Sequence, residues 1–259
     1  MLHYIRQRTP LILSLLLIKI SFIGYAWADN AVTINQIGER FTATISMQGN
    51  NHQIKGASTT STIDGDDVEI KVLTGTSSTS NNLVEFEIDG NNNTAIALQD
   101  RTDMGNDDTI AYGYHTSSIK LVGTNNYAKT IQRNNGTNAT EGHTSNIDVL
   151  GNNATVDVKQ IADYGKTASV DIDANNVTVD IYQNGHGNHT INLDVDNSGS
   201  TFDLDQGYNP GTSGHSMSIA TSGAYASTVT VSQQSNTQQT YTLTQNCQTV
   251  GGCSVSVSQ

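Results

Sequence analysis

Through most of the chain apolar and polar residues alternate over short runs, as in Ile147-Asp-Val149, Val156-Asp-Val158 and Val179-Asp-Ile181. A period of two marks a strand with one buried face, and the Val, Ile and Thr that fill these runs suit a pleated surface. Between the runs lie turns rich in Asn and Gly: Gly90-Asn91-Asn92, Thr124-Asn125-Asn126, Gly151-Asn152-Asn153 and Ala174-Asn175-Asn176. Both residue types tolerate left-handed backbone angles, so Asn92, Asn126, Asn153 and Asn176 are the expected turn asparagines. No segment beyond residue 28 has the helical period.

The strand-turn-strand unit repeats. Asn146 to Gln160, Ser169 to Gln183 and Asn192 to Gln206 align without a gap at a period of 23 residues, and looser copies end at Gln99, Gln132, Gln233 and Gln259. The stretch from Val32 to Gln36 and on to Gln48 reads as a degenerate first copy, and Asn51 to Gly75 fits the repeat poorly. Two short strands cannot bury an apolar face alone, so the copies must stack on one another. The expected fold is all-β: a β-solenoid of about eight or nine strand-turn-strand coils with two facing parallel sheets. It spans residues 29–259, with the clearest repeats in 83–259. Its inward set is Ile147 and Val149 on a first strand, and Val156, Val158 and Gln160 on a second, with their equivalents 23 residues on.

A glutamine on the inward phase of nearly every copy is out of place in an apolar core unless its neighbours satisfy it. Identical amides one coil apart can bond along the stack, each acting as donor and acceptor. Gln36, Gln99, Gln132, Gln160, Gln183, Gln206, Gln233 and Gln259 are therefore the expected ladder.

The first 28 residues read as an address. Arg6 and Arg8 precede an apolar run from Leu11 that Lys19 interrupts, and Ala26-Trp27-Ala28 offers a small-residue cleavage site. The expectation is a secretory signal peptide over residues 1–28 and a mature chain with no membrane span. Its removal takes away Arg6, Arg8 and Lys19 and no acid, moving the net charge from −12 to −15. An acidic chain lacks the basic face that nucleic acid requires. With 35% apolar and 14% charged residues, a conventional enzyme core is not expected either. Nucleophile-elbow, zinc-protease, phosphate-loop and dinucleotide motifs are all missing, so neither an enzyme nor a cofactor is expected. Export makes Cys247 and Cys253 candidate disulfide partners.

Two outward columns of acid follow from the period: Asp157, Asp180 and Asp203 on the second strand, and Asp148, Asp171 and Asp194 on the first. A solvated polar face accounts for them. If any metal is held, it is a hard cation such as Ca²⁺ bridging Asp157, Asp180 and Asp203. His186 and His189 fall between copies with no third ligand nearby, and the other histidines show no partner pattern.

Asn93-Thr-Ala95-Ile-Ala-Leu-Gln99, Gln183-Asn-Gly185-His-Gly-Asn188 and Gln36-Ile-Gly38 with Ala43 resemble the repeat of curlin, the subunit of bacterial curli fibres, Ser-x5-Gln-x-Gly-x2-Asn-x-Ala-x3-Gln. Val177 stands where that family has Ser, and Thr190 and Asp194 replace the Ala and final Gln after Asn188; the two cysteines lie outside its repeat. The resemblance implies a secreted, cell-surface structural subunit that assembles with itself into extracellular amyloid fibres for adhesion and biofilm matrix. It also implies a nucleator and an outer-membrane secretion machinery as partners. The alternative is a monomeric secreted solenoid acting as an adhesin or glycan-binding module, which needs an exposed aromatic row; the tyrosines are scattered along the sequence instead.

Overall fold

The computed structural model describes residues 67–74, 81–99, 113–134, 141–207 and 213–259, with short strands before them. In chain order the strands are β1 (Ile18–Ile20), β2 (Ala31–Val32), β3 (Gln36–Ile37), β4 (Thr42–Met47), β5 (Gln53–Gly56), β6 (Ile63–Asp64) and β7 (Glu69–Thr74). The regular region continues with β8 (Leu83–Asp89), β9 (Thr94–Gln99), β10 (Thr116–Val122), β11 (Tyr127–Arg133), β12 (Thr144–Leu150) and β13 (Thr155–Ile161). Then come β14 (Thr167–Ser169), β15 (Ile172–Asp173), β16 (Thr178–Gln183), β17 (Thr201–Gly207), β18 (Ser216–Gly223), β19 (Ser227–Gln234), β20 (Thr240–Cys247) and β21 (Cys253–Ser258).

Second strands stack into one parallel sheet of 10 strands in the order β1, β4, β7, β9, β11, β13, β16, β17, β19, β21. First strands stack opposite them, from β2 through β5, β8, β10 and β12 to β14, with isolated bridges through Thr190 carrying the path to β18 and β20. This is a β-solenoid with two parallel sheets, and no helix occurs among the described residues. About six turns carry the regular form, fewer than the eight or nine expected. The difference arises where first strands are interrupted: β5 and β6 divide one, β14 and β15 another, and 191–196 holds its place without forming a ladder. The expected leader lies outside the described residues apart from Ile18–Ile20, which pairs with β4.

Register follows the repeat. Val156 pairs with Val179, Asp157 with Asp180 and Gln160 with Gln183. Copies of unequal spacing keep the same alignment, since Tyr127 to Gln132 pair with Thr155 to Gln160 across 28 residues. The differences in length fall between a second strand and the next first strand, as from Gln99 to Thr116 and from Arg133 to Thr144. The expected inward residues Ile147, Val149, Val156, Val158, Ile181 and Leu204 are all fully buried. Alternation thus sends each apolar set into the space between the sheets, and every coil shields the next.

The opposite corner is a tight turn of nearly constant length. Asn92, Asn125, Asn153 and Asn176 hold φ of 55°, 58°, 57° and 56°, and their side chains bond in series at 3.2, 3.2 and 3.1 Å. Asn126 is therefore not the turn residue of its coil. It lies one position later, buried beside Asn93, where its amide donates to the Gly151 carbonyl and its Oδ1 accepts the Ala154 N–H. The shift by one arises because Gly123 rather than Thr124 is the equivalent of Gly90 and Gly151.

Candidate functional site: two stacked columns at the loop corner

From β9 onward each second strand carries a glutamine at or near its end, and the stack places seven of the eight expected ones in a single line. Nε2 of Gln99, Gln132, Gln160, Gln183, Gln206 and Gln233 donates to Oε1 of the next glutamine at 2.9 to 3.1 Å, the last step reaching Gln259. The second proton of the same nitrogen is also used. From Gln99 to Gln206 it goes to the carbonyl 16 residues back, at the start of the same coil's first strand: Leu83, Thr116, Thr144, Thr167 and Thr190. Each amide therefore holds coil to coil and sheet to sheet at once. From Gln132 to Gln206 the polar group is tolerated at 0% exposure because both its donor and its acceptor are used inside; at Gln99 only the donor is.

Gln36 is not part of this line. It lies in β3, which pairs with β6 in the first-strand sheet, and the ladder position passes instead from Gln99 to Thr74 and Met47. The line thus begins at Gln99 among the described residues, and Gln36 belongs to the other sheet.

Sequence reasoning missed a second column beside the first. Asn82, His115, His143, Lys166, His189 and His215 occupy the position just before successive first strands, each almost fully buried, and Gln239 follows in the last turn. The shared task is to offer an acceptor to the backbone of the next coil. The N–H of His115 donates to Asn82 Oδ1 (3.0 Å), that of His143 to His115 Nδ1 (2.9 Å), and that of Lys166 to His143 Nδ1 (3.3 Å). Further along, the His215 N–H donates to His189 Nδ1 (3.0 Å) and the Gln239 N–H to His215 Nδ1 (3.1 Å). An Nδ1 that accepts cannot carry a proton, so Nε2 carries it in the neutral ring. That tautomer matches the other side of the imidazole, where Nε2–H of His143 donates to the Arg133 carbonyl and that of His215 to the Gly207 carbonyl. Ring centres of His115 and His143 lie 4.9 Å apart, and those of His189 and His215 5.2 Å.

Lys166 interrupts the imidazoles. Its ammonium donates to the carbonyls of Asp163 (2.6 Å), Gly185 (3.0 Å) and Gly187 (3.4 Å), so it bonds to the corner of its own coil and of the next. Burial lowers it to about 7, with Asp163 and Glu141 opposing. Burial also holds His143 well below the ordinary imidazole value, helped by His115 and Lys166, and brings His189 to about 3 with help from Lys166 and His215. His215 is lowered by burial too. His186 is not in the column; its Nδ1 lies 3.1 Å from Asp163 and its ring meets Tyr164 edge-on.

Outside the sheets, the acid columns stand where the period puts them, each ending on a lysine: Lys129 bonds Asp157 at 3.1 Å and Lys120 lies 3.5 Å from Asp148. Desolvation and then the charges of Asp157 and Asp203 raise Asp180, and desolvation with Asp148 and other acids raises Asp171. Among the described residues no three His, Cys, Asp or Glu side chains group to hold a metal ion, Asp157, Asp180 and Asp203 included. Asp180→Asn is expected to stabilise the coil by a few tenths of a kcal/mol, most at low salt, since like charges one coil apart repel weakly in water. A raised carboxylate binds its proton more readily when folded, so this gain should fade as pH falls through the raised value. Urea unfolding of both proteins at two ionic strengths measures it; a destabilised variant would contradict it.

Cys247 and Cys253 form a disulfide across the last turn, with Cα atoms 5.7 Å apart. No protein-family model, curated protein or solved structure matches the chain.

Proposed function

We propose that this protein is a structural subunit of secreted, extracellular curli-type fibres, joined to further copies of itself by continued in-register stacking. The observation that supports the reading most is the glutamine line, which joins seven glutamines unbroken by the same amide-to-amide bond at each of six steps. Such a line has no intrinsic length: the same amide that meets the next coil of one chain suits a coil of another. Among the described residues no strand pairs with the far edge of β20 or β21, and the inward Tyr241, Leu243, Val255 and Val257 there are only partly covered. No Asp, Glu, Lys or Arg occurs after Asp205, so charge does not oppose contact at these coils. The resemblance to curlin in Asn93 to Gln99 and Gln183 to Asn188 supplies the biological setting: adhesion and matrix at the cell surface, with a nucleator and an outer-membrane secretion machinery as partners.

Purified in denaturant and diluted into buffer, the chain is expected to form fibres that bind thioflavin, diffract at a strand spacing of about 4.7–4.8 Å and seed fresh protein. A folded, β-rich monomer that stays dispersed and cannot be seeded would reject the fibre reading in favour of a monomeric adhesin.

A further inference from the structure

The buried column of imidazoles and the lysine has no part in the glutamine line, yet it closes the same corner of every coil from Asn82 to Gln239. Its chemistry differs in one respect. An amide oxygen at Asn82 and an imidazole Nδ1 at His115, His143, His189 or His215 are equivalent acceptors for a backbone N–H, but only the imidazole can lose that role by taking a proton.

We propose that the column is an acid-sensitive clasp: protonation of its histidines at Nδ1 removes the bonds that close successive coils and opens the solenoid at the loop corner on mild acidification.

The geometry carries this in three steps. First, a proton on Nδ1 of His143 would face the Lys166 N–H, and one on His189 the His215 N–H, so a donor would oppose a donor at 3.3 and 3.0 Å. The ring cannot turn over to compensate at His143 or His215, because Nε2–H is already spent on the Arg133 or Gly207 carbonyl. Second, the charges around the site do not welcome another cation. His115 lies against His143, and Lys166 stands between His143 and His189 and lowers both; the Arg133 carbonyl on His143 Nε2 works the other way, and desolvation outweighs it. The acids at this corner are Glu141 and Asp163. Glu141 accepts the Gly165 N–H, Asp163 pairs with His186, and both act on Lys166. Third, His143, His189 and His215 are at most 1% exposed, so opening is the route by which a proton reaches water-like surroundings. A base held neutral in the folded state takes up its proton on unfolding; stability is therefore complete above about pH 6.5 and declines as pH falls below it. The raised aspartates Asp171, Asp180, Asp194 and Asp205 act in the opposite sense, gaining protons in the folded state nearer the carboxylate range.

The clasp belongs to the coil and does not depend on fibre formation. Nitrogen-15 NMR of the histidine rings, in solution or on assembled material, is expected to show Nδ1 unprotonated at pH 7.5 in His143, His189 and His215, with no titration near 6.5 while the fold persists. Circular dichroism against pH is expected to show loss of strand structure well above the acid limit of the variant His143→Asn/His189→Asn/His215→Asn. Asparagine keeps an acceptor, as Asn82 shows, and cannot protonate, so the variant's acid midpoint should lie about one pH unit or more lower. An unchanged midpoint, or imidazoles that titrate normally in the intact fold, would overturn the clasp. If the triple variant does not fold, the ring titration of the unaltered protein decides the matter alone. Fibres that form but ignore the histidine changes would reject the clasp and leave the fibre reading standing; an acid-labile monomer would do the reverse.

Discussion

Gln183→Glu should destabilise the solenoid by more than about 3 kcal/mol at neutral pH, far more than any change on its outer faces. Gln183 is fully buried, accepts from Gln160 at 2.9 Å, and donates to Gln206 at 2.9 Å and to the Thr167 carbonyl at 3.0 Å. A carboxylate of the same shape keeps the acceptor and loses the donor. Its second oxygen then faces two acceptors, the Gln206 oxygen and the Thr167 carbonyl, and its charge lies in the core. Gln183→Leu removes the charge problem but leaves the Gln160 amide N–H, the Gln206 oxygen and the Thr167 carbonyl without that partner, a loss of about 1–3 kcal/mol. The expected order is therefore wild type, then Leu, then Glu, by denaturant unfolding. Acidification separates the causes: the introduced carboxyl regains a donor once protonated, so the deficit of Gln183→Glu should shrink as pH falls, while Gln183→Leu should show no such recovery. A Glu variant as stable as the wild type would mean that the line of amides contributes no register to the stack.

The second large effect is expected at Gly123. Its φ is +118°, and a Cβ there would sit 2.0 Å from the Gly151 carbonyl oxygen of the next coil. Both problems are backbone problems, so no rotamer relieves them. Gly123→Ala should cost about 3 kcal/mol or more and should separate the turn at Gly123 from the one at Gly151. Gly165→Ala is the comparison, since its φ is not in the left-handed region and its nearest contact, the Gly142 carbonyl, is at 3.3 Å. It should cost much less. Thermal unfolding of the two variants tests the contrast, and equal losses would show that stacking at the turn tolerates a methyl group.

The glutamine line was legible because it repeats one residue type at one phase. A side chain that must bond to its own copy cannot change without breaking the line, so identity at Gln160, Gln183 and Gln206 survives in plain view. The histidine and lysine column was not legible for the opposite reason. Its task is to present an acceptor to a backbone N–H, or in Lys166 to bond carbonyls across the corner, and Asn, His and Lys all appear there. It also follows loops of unequal length, so His115 and His143 lie 28 residues apart but His143 and Lys166 only 23. Gln36 misled for a related reason: a glutamine near a strand end resembles the line, while membership depends on which sheet the strand joins.

Alternation of apolar and polar residues, with Asn and Gly between, determined strands, turns and the need to stack, since a two-strand unit leaves an apolar face that only its own copies cover. The 23-residue spacing of the clearest copies determined their register, because any slip would turn every inward side chain to the solvent. Tertiary structure alone decided which residues of the variable loops enter the core, that Asn125 and not Asn126 makes the turn, and that an N–H from one coil meets an imidazole of another. Those contacts join residues whose separation along the chain is set by loops of unequal length, and only the closed coils bring them into line.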